Sequence, residues 1–165
     1  MRGTLAFGIL LALAAPARAG ADELPSPLDL DGWYVTLGPI GAAVDVAGEW
    51  VSAAGGELSV AHLAEARIPA VLGFCVGGVS YGSRAGGRLW LEGEVGLERP
   101  LPFALGIGIG VAAEVATVGP THLGAQATLW AIGGLVPYLR VGALETTGGF
   151  FEAGVMFKVP IRFAY

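Results

Sequence analysis

The sequence predicts an all-β protein, an eight-stranded antiparallel up-and-down barrel that crosses a membrane. Three observations carry that expectation. In the stretch from Phe150 to Tyr165, the residues Phe151, Ala153, Val155, Phe157, Val159, Ile161, Phe163 and Tyr165 fall on one face of a strand, and Glu152, Lys158 and Arg162 on the other. Hydrophobic residues make up 54% of the chain and charged residues only 14%, too apolar for an ordinary soluble surface. The 28 glycines argue against long helices, because each interior glycine costs about 1 kcal/mol relative to alanine.

Residues 1–19 have the pattern of a secretory signal peptide. Arg2 is the positive charge, Leu5 to Ala15 the apolar run, and Ala17-Arg18-Ala19 the small-residue cleavage site. That run is too short for a spanning helix, which needs about 20 residues. The acidic, proline-containing segment 20–31 reads as an extended lead-in, and the barrel is expected over 32–165.

Strand 1 is predicted at 32–44, with Trp33, Val35 and Leu37 on one face and Tyr34 and Thr36 on the other. A Gly/Ala/acidic connection, 45–56, leads to strand 2 at 57–65, whose phase stays open. There Leu58, Val60 and His62 share one face, and Glu57, Ala61 and Leu63 the other. Strand 3 (69–81) places Ala70, Leu72, Phe74 and Val76 together, and the loop Gly82-Ser83-Arg84-Ala85-Gly86-Gly87 signals a hairpin. Strand 4 (88–98) sets Leu89, Leu91, Val95 and Leu97 against Arg88, Trp90, Glu92, Glu94 and Glu98. The turn Arg99-Pro100-Leu101-Pro102 ends it.

Strand 5 (103–117) alternates Leu105, Ile107, Ile109, Val111 and Val115 with Gly106, Gly108, Gly110, Ala112 and Glu114. Strand 6 (121–132) puts Leu123, Ala125, Ala127, Leu129 and Ala131 opposite His122, Gln126, Thr128 and Trp130. After Gly133-Gly134, strand 7 (136–145) sets Leu139, Val141 and Ala143 against Tyr138 and Arg140, and the loop 146–149 delivers the last strand.

Residue size sets the sense of the barrel. Large apolar side chains share one face and Gly, Ala and charges the other, as a narrow interior and a lipid exterior require. Without water in hydrocarbon, backbone groups must pair internally, so membrane strands must close. A helical reading of 68–83, 101–113 and 122–139 fails on the repeated glycines and on Pro137, and would turn several charges to lipid.

This pattern resembles the small eight-stranded outer-membrane barrels typified by OmpX and the transmembrane domain of OmpA. The resemblance rests on the leader, the alternation, the hairpin spacing and the apolar face Phe157, Val159, Ile161, Phe163, Tyr165 of the closing strand. It departs from the family in its short loops, in Pro160 within the closing strand, and in ending on Tyr165 rather than Phe. It implies an outer-membrane location, contact with outer-membrane lipid, and recognition of the C-terminal strand by the barrel-assembly machinery.

The candidate site is the inward set Arg88, Glu92, Glu94, Glu98, Glu114, Arg140, Glu152, Lys158 and Arg162. An eight-stranded interior is just wide enough for side chains to fill, so these charges are expected to satisfy one another, with a narrow ion or proton path as the alternative. Glu92 and Glu94 form an i,i+2 carboxylate pair with arginines on the same face, which reads as structural rather than as acid–base machinery. His62 and His122 lack metal-ligand spacing. A lipid-modifying site would need Ser80 or Ser83 and an acid beside His122. Cys75, the one cysteine, reads as a small buried or membrane-facing side chain. Gly106 to Gly110 make no phosphate loop, no cofactor is expected, and a pI near 4.9 gives no nucleic-acid footprint. The expected role is non-enzymatic, structural or interaction-based. A soluble periplasmic lipocalin-like binder, a lipid-modifying barrel enzyme and a minimal channel are the alternatives.

Overall fold

The structure, a computed structural model, describes residues 31–64, 68–97, 104–132, 135–145 and 148–163. The expected leader at 1–19, nearly all of the expected lead-in, Glu98, the expected turn 99–102, Gly133-Gly134 and Tyr165 lie outside them. Nine strand segments run in sequence: β1 (Gly32–Val46), β2 (Glu49–Leu63), β3 (Val71–Tyr81), β4 (Gly87–Leu97), β5 (Ala104–Val115), β6 (His122–Ile132), β7 (Val136–Leu144), β8 (Gly148–Met156) and β9 (Val159–Arg162). Each pairs antiparallel with its neighbour in the chain up to β8, and β1 pairs with β2 on one side and with β8 and β9 on the other. The sheet is therefore closed. β9 continues β8 in the same register against β1, so the barrel has eight strands, the last of them interrupted.

Following the registers once around the sheet returns to β1 ten positions from the start. Such a stagger tilts eight strands by roughly 35–45° and leaves an interior that side chains just fill.

The interruption has a local cause. Phe157 lies opposite Pro39 of β1 and donates its N–H to the Pro39 carbonyl at 3.1 Å. Pro39 has no N–H to return, so the ladder lapses at Phe157 and Lys158 before resuming at Val159. Pro160, opposite Thr36, falls in a pair whose backbone groups point away from β1, so its missing donor takes nothing from this seam.

The connection expected at 45–56 is instead a two-residue turn between two long strands, with Val46 opposite Glu49. Ala47 and Gly48 both take positive φ, 55° and 86°, the pairing a primed hairpin turn demands. The Asp45 carboxylate accepts the Gly48 N–H at 2.9 Å. With β2 starting at Glu49, its phase is settled: Leu58 and Val60 face out, while Glu57, Ser59 and Ala61 are buried.

Outward positions elsewhere follow the expected alternation, including Leu72, Phe74 and Val76 in β3, Leu105, Ile107, Ile109 and Val111 in β5, and Phe157, Val159, Ile161 and Phe163 at the end. Ala70 departs from it, lying buried in the bend before β3. Inside, small residues alternate with bulky ones. A Cβ on Gly106 would collide with the Trp130 indole, so that ring occupies the volume the glycine vacates. The interior is thus a packed core whose apolar parts, Trp90, Trp130, Val136, Tyr138 and Met156 among them, surround a charged centre.

Candidate functional site

The charged centre is built by alternate residues from β2, β4, β6, β7 and β8, each placed inward by strand geometry. Arg140 of β7 is its hub and is fully buried. Its Nη1 lies 3.1 Å from Glu152 Oε1, and its Nε donates to Thr128 Oγ1 at 2.8 Å. Glu92 Oε1 and Glu57 Oε2 each stand 3.6 Å from the guanidinium, whose plane lies 4.0 Å from the centre of the Trp90 ring. Four strands therefore converge on one cation.

Two further cations complete the set. Arg88 pairs with Glu152 and lies 3.8 Å over the Phe150 ring. Lys158 projects inward from the break between β8 and β9, reaching Glu57 at 2.7 Å, Ser59 Oγ at 2.9 Å and Glu94 at 3.5 Å. Neutral donors finish the carboxylates: Gln126 and Thr128 on Glu92 at 2.7 and 2.6 Å, Trp90 Nε1 on Glu57 at 3.1 Å, and the Tyr138 hydroxyl on Glu152. Buried carboxylates need such partners, because an unpaired charge in this environment costs several kcal/mol, about 3–5 when one partner is removed.

Of the predicted inward set, Arg88, Glu92, Glu94, Arg140 and Glu152 are buried and lie in or against this cluster, with Lys158 partly covered. Glu114 is buried too, but at one end, where it pairs with Arg84 of the β3–β4 loop. Arg162 is a correction. Its position is opposite Tyr34 at the far end of the barrel, where it is exposed and donates to the Asp31 carbonyl at 2.6 Å. Glu57 was absent from the predicted set, because the phase of strand 2 was open and the β1–β2 turn unrecognised.

The central cluster holds four carboxylates, Glu57, Glu92, Glu94 and Glu152, against three cations, Arg88, Arg140 and Lys158. Cys75 is buried beside it, with Sγ 3.7 Å from Glu92 Oε2. Glu57, Cys75 and Glu92 offer donor atoms within 4.8 Å of one another, a spacing that could hold a metal ion. Their oxygens are already engaged by Lys158, Arg140, Gln126 and Thr128, so the observed arrangement is an ion-pair network rather than an open ligand set.

Of the residues a lipid-modifying site would need, an acid, Glu114, does lie opposite His122, but Ser80 does not lie beside them. Ser80 faces outward at the end of β3, His122 is on the inward register of β6 opposite Glu114, and β4 and β5 lie between them. His62 packs edge-on against Trp33, ring centres 5.2 Å apart.

No protein-family profile matches the chain, and neither does any curated protein. Among solved structures, the crystal structure of Neisserial surface protein A is similar, with a TM-score of 0.52 over 80% of this chain and 97% of that one at 13% sequence identity. At that identity the likeness is one of fold.

Proposed function

We propose that this chain is a small outer-membrane barrel with a structural or interaction role in the cell envelope and no catalytic one. The observation that carries the reading is the inversion of polarity: large apolar side chains cover the outside of a closed sheet, and charges fill its centre. A water-soluble barrel has the opposite need, since exposed apolar area on this scale drives association. A lipocalin-like binder would turn these same faces inward around a pocket. Aromatic residues near both ends of the outward face, Trp33 and Phe163 at one and Trp50 and Phe151 at the other, fit the interfacial girdles of membrane barrels. The filled, ion-paired centre favours a sealed wall over a channel. The expected leader would supply export, and the C-terminal strand the contact with assembly machinery.

The test is cell fractionation followed by electrophoresis of the membrane fraction in SDS, unheated and boiled. A closed barrel in the outer-membrane fraction should migrate differently before and after boiling. A soluble periplasmic chain with no such shift refutes the reading.

A further inference from the structure

The last strand is fastened on one side only. β9 pairs with β1 from Val159 opposite Leu37 to Arg162 opposite Tyr34. It has no second neighbour among the described residues, because β7 begins at Val136, opposite Met156. All four of its residues are exposed, so neither of its faces packs into the core. Phe157 and Phe163 donate to the Pro39 and Trp33 carbonyls. The alternation of an antiparallel ladder then turns the Val35 and Leu37 N–H groups toward β9, and those of Tyr34 and Thr36 toward β2.

One side chain crosses this joint from the inside. Lys158 stands in the gap between β8 and β9, at the register position opposite Gly38, and Gly38 stands opposite Glu57 of β2. The glycine puts no side chain between the two. The lysine therefore reaches past β1 to Glu57 at 2.7 Å and to Ser59 Oγ at 2.9 Å, with Glu94 of β4 at 3.5 Å. Gly38 also lets the interrupted strand pass close, since a Cβ there would lie 2.1 Å from the Phe157 carbonyl oxygen. Gap, glycine and carboxylate thus fall on one row across the joint. Lys158 adjoins Val159, so the bonds it makes to β2 and β4 hold the start of β9 against β1.

We propose that β9 is a strap that swings off β1 while the other strands stay closed, and that Lys158 is the latch that holds it shut. With the latch broken, what remains is a short strand tied by one ladder, the kind of element that opens locally at far less cost than the whole fold. Arg162, bonded to the Asp31 carbonyl, is a second fastening at the exposed end. The hinge is the gap itself, where Pro39 returns no hydrogen bond to Phe157. Beyond the hinge β8 is paired on both sides, with β1 and with β7, so the opening stops there. The barrel then has two states that differ in a single strand.

The experiment is amide hydrogen exchange, followed by NMR on the full chain folded in dodecyl maltoside. The variant combines Lys158→Met with Glu94→Gln. It removes the latch and leaves Glu57, Glu92 and Glu152 against Arg88 and Arg140, the same excess of one carboxylate as in the parent. In the parent, Val35, Leu37, Val159 and Ile161 should exchange together, and faster than Gly41, Ala43, Ala153 and Val155, which face one another across β1 and β8. In the variant those four should speed up about ten- to a hundredfold, the worth of the lysine's charged hydrogen bonds, while Tyr34 and Thr36 stay near the parent rate. Exchange of the four at the pace of the β1–β8 amides in the parent overturns the strap. A rise shared equally by all amides overturns the latch. A variant that loses the gel shift on boiling overturns it as well, since Lys158 would then hold the whole barrel rather than one strand.

Discussion

Removing one cation from the barrel centre should cost far more than removing one carboxylate. Arg140→Met keeps much of the volume and the contact with Trp90 but deletes the charge shared by Glu57, Glu92 and Glu152. Glu57 retains Lys158 and Glu152 retains Arg88, whereas Glu92 loses the one cation within ion-pair range among the described residues. The cluster then holds four carboxylates against two cations. A buried charge stripped of its partner is worth about 3–5 kcal/mol, and that is the loss expected for Arg140→Met. Glu92→Gln works in the other direction. It brings the cluster to three against three, and the amide oxygen still accepts from Gln126 and Thr128, so the cost should be about 1 kcal/mol. Combined, the two changes should cost less than their sum, because the carboxylate that Arg140→Met orphans is gone. Equilibrium urea unfolding in lipid vesicles, followed by tryptophan fluorescence, measures all three. Equal losses for Arg140→Met and Glu92→Gln, or strict additivity in the double variant, would refute the argument from charge balance.

Ile109 is two-thirds exposed near the middle of β5, so Ile109→Lys places a cation where the reading puts lipid. It should lose about 2–4 kcal/mol of stability in bilayers. A soluble barrel would tolerate it or gain solubility, and vesicle unfolding decides. Ala47→Asn should stabilise the β1–β2 hairpin by about 0.5–1 kcal/mol, since asparagine accepts the positive φ that alanine resists. A higher gel-shift temperature is the readout. Pro39→Val restores the donor missing opposite Phe157 and should add about 1 kcal/mol, seen as slower amide exchange along β8 and β9.

What the residues disclosed was the period of two, and through it the faces. From β3 to β7 the alternation of bulky apolar with small or charged residues is a local property, so Arg88, Glu92 and Arg140 could be placed inward without knowing any neighbour. What they concealed was whatever depends on a partner strand. The β1–β2 turn was missed because its first central residue is Ala47, where asparagine, aspartate or glycine is the usual signal. With the turn unseen, β2 had no fixed start, and Glu57 could not be assigned to the centre. Nothing local to Pro39 shows that its missing donor falls opposite Phe157. Arg162 keeps the inward register but sits exposed at the end of the barrel, and depth is invisible to periodicity.

The seam between the first and last strands has a meaning beyond its missing hydrogen bonds. A closed sheet has no edge to offer, but one whose joint opens has two, each a template for another strand. β1 meets β2 along 15 residues without a break, and meets β8 and β9 along 7 and 4 with a gap between. Transient gaping will therefore concentrate at that joint. Pro39 sets the point where the ring parts, and so decides which strand a foreign β-edge would find first.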